Sequence, residues 1–258
     1  MSGILFDEIV FGPVRSRRLG VSLGINLLPT DFKYCSFNCI YCECGWTKHK
    51  LDEKVSFYSC KEIYNALEKR LKELKERNIN PDSFTFAGNG EPTLHPNFHA
   101  IIDDTIFLRD KYFPNAKISV LSNSSMLHKP FVFDALTKIE NNIMKLDCGS
   151  NELFQIINHP LGNLTLEQVV ENLTHFEGNL IIQSLFVKGK YEGKAVDNTT
   201  EKEISPWLEH IKRINPKYVM IYSFERSTPT DTLDVVAKDE LDRISLLVNK
   251  LGIETKVY

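Results

Sequence analysis

The sequence predicts an α/β fold built on a parallel sheet, and three observations support this prediction. Short apolar segments of strand length alternate about six times with longer segments whose apolar residues recur at helical spacing. Glycines and polar residues follow several of the apolar segments directly, as they do at the carboxyl ends of strands in such folds. The 258 residues contain no internal repeat or flexible linker, so we expect a single domain covering residues 1–258.

The composition is that of an ordinary globular protein, with 42% apolar and 25% charged residues. No run of about 18 apolar residues occurs, and the N-terminus lacks a basic start followed by an apolar core, so we expect no membrane association and no secretory signal. A net charge of −3 gives no overall attraction to nucleic acid, although it leaves room for a local basic patch. Six cysteines, three of them clustered, fit metal binding in the reducing cytoplasm better than disulfides.

The same patterns place the individual elements along the chain. Residues 11–20 contain Gly and Pro and are expected to form a loop, and residues 188–200 a long polar loop. Two capping boxes, starting at Ser59 and Thr165, and the pair Ser205-Pro206 mark helix starts. The predicted strands cover residues 21–28, 83–87, 117–121, 142–146, 179–187, 217–224 and 253–257. The predicted helices begin at residues 59, 97, 131, 165, 205 and 241.

The most informative stretch is Cys35-Ser-Phe-Asn-Cys39-Ile-Tyr-Cys42, which follows the first predicted strand. Thiolates are the usual ligands of iron–sulfur clusters, and the C-x3-C-x2-C spacing lets one loop surround a single cluster. A four-iron cluster normally takes four thiolates, so three would leave one iron open for a non-protein ligand. The alternative is a structural zinc held by these thiols and Cys44, with His49 nearby, but the second knuckle that zinc sites usually contain is missing.

Polar residues at the ends of later strands are candidates for ligand binding. The glycines of Gly88-Asn-Gly-Glu91 allow a close approach of the backbone, and Glu91 can accept from an ammonium, although a plain turn would look similar. Lys145 and Asp147 share one face of a strand, where they order a ligand or form a structural salt bridge. Gln183 and Tyr222-Ser223, on later strands, either line the interior of the curved sheet or are ordinary polar groups with hydrogen-bond partners.

Two further features leave alternatives open. Arg15, Arg17 and Arg18 lie close together and either face an anion, such as a phosphate or a carboxylate, or form a solvated basic loop. Cys44 is expected to shield a cluster rather than to bind it, and Cys60 is expected to be structural.

The cysteine loop and the strand-end residues resemble the radical SAM family. In that family a three-cysteine loop, with an aromatic residue before its last cysteine, binds a [4Fe-4S] cluster whose open iron chelates S-adenosylmethionine. The cluster ligands that this resemblance implies are Cys35, Cys39 and Cys42. The cofactor-binding residues predicted on this basis, together with the strand-end positions, are Tyr41, Gly88, Asn89, Gly90, Glu91, Ser122, Asn123, Asp147 and Gln183. The resemblance also implies a partial (β/α)6 barrel with little added, which periodicity alone does not distinguish from a doubly wound sheet.

The resemblance further implies an enzyme that cleaves S-adenosylmethionine reductively to a 5′-deoxyadenosyl radical, which abstracts hydrogen from a substrate. Cys148 is then either a donor of hydrogen to a substrate radical or a buried, inert thiol. The segments Gly12-Pro13, Ser16–Gly20, Gly88–Pro96 and Asn158–Pro160 look like a compact group related to the wyosine-forming tRNA-modifying enzymes.

That relationship suggests an RNA or nucleotide substrate. One alternative is a peptide- or protein-modifying enzyme, including the type that activates a partner by forming a glycyl radical on it. Another is a non-catalytic iron–sulfur or zinc-binding module. The expected partner is an electron donor such as flavodoxin or ferredoxin.

Overall fold

The computed structural model of this chain describes residues 3–48 and 55–258. The strands are β1 (Val10–Ser16), β2 (Gly20–Ile25), β3 (Ser83–Phe86), β4 (Lys117–Ser122), β5 (Asn141–Lys145), β6 (Ile181–Leu185), β7 (Val187–Tyr191), β8 (Lys194–Asp197), β9 (Tyr218–Tyr222), β10 (Leu233–Val235) and β11 (Glu254–Val257). The helices are α1 (Cys60–Glu76), α2 (Phe98–Tyr112), α3 (Pro130–Thr137), α4 (Asn151–Ile157), α5 (Leu166–Thr174), α6 (Glu201–Ile214) and α7 (Lys238–Asn249).

The main sheet has eight strands in the order β1-β2-β3-β4-β5-β6-β9-β11. All neighbouring strands from β2 to β11 run parallel, because helices connect them, and only β1 runs antiparallel to its neighbour. Inward-facing side chains of seven of these strands enclose a cavity of about 140 Å³, so the sheet is curved. Within the described residues β1 and β11 do not pair with each other, and the sheet stays open. The predicted partial barrel is therefore confirmed.

Helices cover the outside of this sheet with apolar faces that the sequence predicts well. In α1 the residues Ile63, Leu67, Leu71 and Leu74 are buried at the spacing of one helix face. Both predicted capping boxes are present, at the starts of α1 and α5. Each cap contributes about 1 kcal/mol, which helps to fix where the helix begins. No helix in the described part of the chain is both long and apolar enough to cross a bilayer.

The loop predicted for residues 11–20 is wrong, because most of this segment is β1 and the turn into β2. A proline is tolerated in an edge strand, where its missing N–H is not needed by a second neighbour. The pairing of β1 with β2 also shifts its register between Phe11 and Val14, which is where Pro13 lies. The sequence alone did not show that this strand would be at an edge.

The second loop, predicted for residues 188–200, is also wrong. It contains most of β7 and all of β8, which form an antiparallel hairpin, and β10 adds to β7 as a third strand of a separate small sheet. The hairpin turn has Glu192 and Gly193 at φ values of 48° and 76°, the geometry of a two-residue hairpin turn. The small sheet is an addition to the predicted core, and neither it nor helix α4 was predicted.

The predicted start of α6 at Ser205-Pro206 is four residues late. The helix begins at Glu201, and Pro206 lies inside it, more than one turn from the start. A proline there removes an intrahelical hydrogen bond, yet it packs close to Gly149, where a side chain would meet Pro206 Cγ at 2.8 Å. The remaining strands and helices lie within a few residues of their predicted positions.

Candidate active site

The cysteine loop, residues 35–42, follows β2 and lies across the carboxyl edge of the sheet. Backbone hydrogen bonds fasten it on two sides. Tyr34 N donates to Asn89 O at 2.8 Å on the β3 side. Asn38 N donates to His159 O at 2.9 Å, and Ile40 N donates to Ile157 O at 3.0 Å, on the α4 side. The loop is therefore held in place by the protein itself.

The three predicted cluster thiols line one cavity of about 210 Å³. Cys35 and Cys39 are buried, and Cys42 is partly exposed. The predicted cofactor-binding residues that line the same cavity are Tyr41, Gly88, Gly90, Glu91, Ser122, Asn123 and Gln183. A larger groove of about 640 Å³ lies on another side of the loop, against Phe37 and Leu164, and none of the three thiols lines it.

Hydrogen-bond donors and a cation surround these sulfur atoms. Asn123 Nδ2 lies 3.5 Å from Cys35 Sγ, and Asn158 Nδ2 lies 3.6 Å from Cys39 Sγ. The buried ammonium of Lys33 lines the cavity and donates to Gly45 O at 2.9 Å. Burial acts against its charge, but the three cysteines outweigh burial and raise the pKa of Lys33. Such surroundings suit sulfur ligands that carry negative charge.

The protonation of the thiols differs along the loop. Burial raises the pKa of Cys35 to about 12 and also raises the pKa of Cys39. The pKa of Cys42 is lowered, because a hydrogen bond from Cys44 favours its thiolate more than burial disfavours it. The same contact raises the pKa of Cys44, whose thiol also donates to Gly88 O at 3.3 Å.

The arrangement fits a cluster better than a single metal ion. Within residues 3–48 and 55–258, no three Cys, His, Asp or Glu side chains are placed to hold one ion. A cubane is larger than an ion, and three thiols that line one cavity of about 210 Å³ leave room for it. His49, the additional candidate for a zinc site, lies outside the described residues.

The turn after β3 depends on its two glycines. Gly88 and Gly90 have φ values of 148° and 141°, which favour glycine. A Cβ atom at Gly90 would lie 1.9 Å from Tyr34 O, next to the first predicted cluster cysteine. Asn89 points away from the cavity, because its side chain bonds the backbone of Phe6 and of Pro29, each at 2.8 Å. The role of Asn89 in cofactor binding stays a prediction, as do the other assigned roles.

Glu91 joins the ends of β3 and β4. Its buried carboxylate accepts from Thr93 N at 3.1 Å, Ser122 Oγ at 2.9 Å and Asn123 N at 2.6 Å. Burial raises the pKa of Glu91, and these donors oppose that shift without cancelling it. Glu91 thus fixes Ser122 and Asn123, and Asn123 in turn contacts Cys35.

A second polar network lies on the other side of the cavity. Asp147 accepts from Tyr41 Oη and, at 2.7 Å, from Asn158 Nδ2. Lys145 Nζ donates to Tyr41 Oη at 2.8 Å and lies 3.5 Å from the Asp147 carboxylate. Burial disfavours the charge of Lys145, but Asp147, Tyr222 and the two nearby cysteines Cys39 and Cys42 together outweigh it, so the pKa of Lys145 is raised. Burial and Asp147 together raise the pKa of Tyr41. The ammonium of Lys145 and the neutral phenol of Tyr41 therefore line this side of the cavity.

Of three further predicted residues, Asp147, Gln183 and Cys148, only Gln183 lines the cavity. Asp147 lies behind Tyr41 and Lys145 and does not itself line the cavity. Gln183 lines it and donates to Tyr222 Oη. Cys148 is fully buried and lines no part of the cavity, and its thiol contacts Asn158 Oδ1 at 3.7 Å. Burial raises the pKa of Cys148 well above its usual value.

Sequence reasoning missed Lys33 and Asn158 as members of the site. The sequence signal for Lys33 was its position two residues before the first cysteine. Its burial, which is rare for a lysine, is seen only in the structure. Asn158 was noted only as part of a family-like segment, and its contact with Cys39 depends on where α4 ends, a helix that was not predicted.

Comparison with known proteins places the chain in a family by sequence. No family model matches it. The chain is 33% identical over 216 residues to a UPF0026 protein of Methanocaldococcus jannaschii, covering 81% of this chain but only 61% of that relative. It is 30% identical over 251 residues to a UPF0026 protein of Helicobacter pylori, covering 95% of this chain and 75% of the relative.

Solved structures show the fold. A radical SAM methyltransferase from Sphaerobacter thermophilus matches with a TM-score of 0.67 at 11% identity, over 92% of this chain and 65% of that one. SuiB of Streptococcus suis bound to S-adenosylmethionine gives 0.63 at 13% identity, over 91% and 50%. An archaeal TYW1 gives 0.56 at 14% identity, over 89% and 71%. The chain thus belongs to the UPF0026 protein family and has the fold of the radical SAM enzymes.

Proposed function

We propose that the chain is a radical SAM enzyme, in which Cys35, Cys39 and Cys42 hold a [4Fe-4S] cluster beside a site for S-adenosylmethionine. The observation that carries this proposal is a single cavity at the carboxyl edge of a parallel sheet. Three thiols, the buried ammonium of Lys33 and the turn at residues 88–91 all line it. The fold supports the proposal, because ligands of such folds bind at this edge.

When bound, the cluster and S-adenosylmethionine supply an electron and a reactive adenosyl group, which protein side chains cannot provide. The chain's own residues hold and orient them. Lys33 offsets negative charge at the sulfur atoms, and Asn123 and Asn158 direct N–H groups at two of them. Lys145, which lines the cavity, would present its ammonium to an anionic group of the cofactor. The apolar side chains of Phe37 and Leu121 exclude water from the same cavity.

The direct test is to purify or reconstitute the protein without oxygen and to measure iron and 5′-deoxyadenosine together. We expect close to four irons per chain and release of 5′-deoxyadenosine under a strong reductant. Replacing any one of the three cluster cysteines by alanine is expected to abolish both. Cys60→Ala is the matched control, because Cys60 begins α1 outside the cavity. Colourless protein with one zinc would instead favour the binding module.

Several other assignments belong to this proposal. We infer one domain over residues 1–258, a cytoplasmic location and a flavodoxin- or ferredoxin-type reductant. All six cysteines are free, which suits a reducing compartment. An RNA or nucleotide substrate is favoured by the sequence resemblance, and a peptide is the alternative. Transfer of deuterium from labelled candidates into 5′-deoxyadenosine distinguishes these two classes.

A further inference from the structure

A second cavity of about 300 Å³ lies directly beside the proposed cofactor cavity. The two share Tyr41, Cys42 and Leu121 as walls. The other walls of the second cavity include Arg17 and Arg18 from the turn between β1 and β2, and residues 222–225 at the end of β9. A molecule bound there would be next to whatever occupies the cofactor cavity.

The β1–β2 turn reaches this position because it folds into the interior of the curved sheet. Leu19 packs against the buried side chains of Ile143, Ile181 and Met220. Next to it, the guanidinium of Arg18 lies over the ring of Tyr222, 4.6 Å from the ring centre. Tyr222 is itself held by Gln183. The guanidinium therefore has a defined position before any ligand arrives, which lowers the entropy cost of binding.

One nitrogen of this guanidinium has no acceptor. Arg18 Nη1 is buried and finds no hydrogen-bond partner in the part of the chain that the structure describes. Every nitrogen of a guanidinium is a hydrogen-bond donor and none is an acceptor, so this nitrogen has an N–H to donate. Buried polar groups are almost always hydrogen-bonded, so this unpartnered donor is a candidate for contact with a bound water, ion or ligand.

Nearby carboxylates are already paired with other cations. Arg17 Nη2 lies 2.7 Å from Glu225 Oε1, and Arg226 Nη1 lies 3.2 Å from Glu43 Oε2. Each of the two acids that line the cavity thus has an arginine partner. Arg18 lines this cavity and also the 140 Å³ cavity inside the sheet. A guanidinium binds the oxygens of carboxylates and phosphates especially well.

We propose that Arg18 binds an anionic group of the substrate, a phosphate or a carboxylate, and so holds the substrate beside S-adenosylmethionine. The neighbouring cofactor rests on the proposed function, whereas the anion site itself does not. A cavity of about 300 Å³ is at the small end of ligand pockets. It accommodates a small molecule or one terminal group of a larger one.

The test measures the binding of inorganic phosphate and, separately, of acetate to the reconstituted protein at constant ionic strength. Binding is followed by the shift in thermal unfolding midpoint and, for phosphate, by the width of its ³¹P resonance. We expect Arg18→Gln to weaken binding of at least one anion roughly tenfold or more, as loss of a charged hydrogen bond does. Arg15→Gln is the matched control, because Arg15 is an exposed arginine of the same hairpin and lines neither cavity.

A structural role for Arg18 gives different results. If Arg18 only stabilises the hairpin, Arg18→Gln lowers the unfolding midpoint without anion and leaves the anion-induced shift unchanged, which overturns the proposal. We expect instead that the variant without anion is at least as stable as the wild type. Arg18→Lys keeps the charge without the planar fork, and we expect weakened but measurable binding. It also serves as the test if Arg18→Gln does not fold.

The remaining outcomes also decide the question. Selectivity for phosphate supports a phosphorylated substrate, and selectivity for acetate supports a carboxylate. Absence of binding to the wild type overturns the proposal. So does a loss of S-adenosylmethionine affinity in Arg18→Gln with phosphate and acetate binding unchanged, because Arg18 would then serve the cofactor. Anion binding through Arg18 in a protein that never releases 5′-deoxyadenosine overturns only the proposed function.

Discussion

Asp147 connects three separate parts of the site through one buried carboxylate. It accepts from Tyr41 in the cysteine loop, from Asn158 after α4 and, at 2.9 Å, from Leu185 N at the end of β6. The strand pattern predicted that Lys145 and Asp147 share a face. It did not predict Asn158, since residues eleven positions apart come together here only through the turn around α4.

Replacing Asp147 by asparagine removes the anionic partner of the largely buried Lys145. Breaking a buried ion pair on one side costs about 3–5 kcal/mol, so we expect a loss of that order in the free energy of unfolding, measured in urea. Asp103→Asn is the control, because Asp103 pairs with Lys138 at the surface and should cost less than about 1 kcal/mol. Equal losses would show that the Lys145–Asp147 pair has no special structural weight.

Cys148 can be tested separately from the cluster cysteines. Because Cys148 is fully buried and does not line the cavity, we expect Cys148→Ala to keep its iron and its cleavage of S-adenosylmethionine. The assay is 5′-deoxyadenosine release, with Cys39→Ala as the inactive comparison. Retained cleavage with loss of product from a true substrate would instead support the role of Cys148 as a hydrogen-atom donor.

At the scale of elements, local patterns predicted what local physics determines. The capping boxes fixed two helix starts, and the alternation of strands and helices fixed the parallel order. The β1–β2 hairpin was missed because Pro13 is acceptable in a strand only when that strand lies at an edge. The β7–β8 hairpin was missed because Glu192-Gly193 forms its turn only with positive φ at both residues. Those conditions depend on pairing between distant residues.

The turn after β3 offers a sharp test of how an element shapes the site. Gly90→Ala places a methyl group against Tyr34 O at a φ of 141°, so we expect roughly 1–3 kcal/mol of backbone strain and a fall in iron content. Gly162→Ala is the matched control, since no atom lies within 4 Å of its added methyl group. The measurements are urea unfolding and iron per chain. Normal iron content in Gly90→Ala would mean that the turn does not position the cysteine loop.

At the scale of the whole molecule, the cysteine loop connects the carboxyl ends of the strands to α4. Binding of a cluster to this loop should therefore affect the backbone hydrogen bonds on both sides of it. Amides of Tyr34, Asn38 and Ile40 donate to Asn89, His159 and Ile157 respectively. We expect these three amides to exchange faster with solvent after iron is removed anaerobically by a chelator. Amides in the middle of α1 should be unaffected, because α1 lines neither cavity. If the exchange rates of these three amides are the same before and after chelation, this coupling is contradicted.

The overall fold and the three thiols could be predicted from sequence, but the two adjoining cavities could not. In the sequence, Arg15, Arg17 and Arg18 were equally good candidates to face an anion. The packing of Leu19 into the curved sheet and the stacking of Arg18 on Tyr222 distinguish Arg18 from Arg15. The curvature that produces both cavities comes from the whole sheet, and no single segment encodes it.

The electron paramagnetic resonance spectrum of the reduced protein tests the open-iron site most directly. It should be recorded before and after addition of S-adenosylmethionine, in the wild type and in Cys42→Ala. We expect the g values of the wild-type signal to shift on addition, because the cofactor reaches an iron that no thiolate holds, and we expect Cys42→Ala to give no cluster signal. A wild-type spectrum unchanged by the cofactor, or a cluster that persists in Cys42→Ala, would contradict this site.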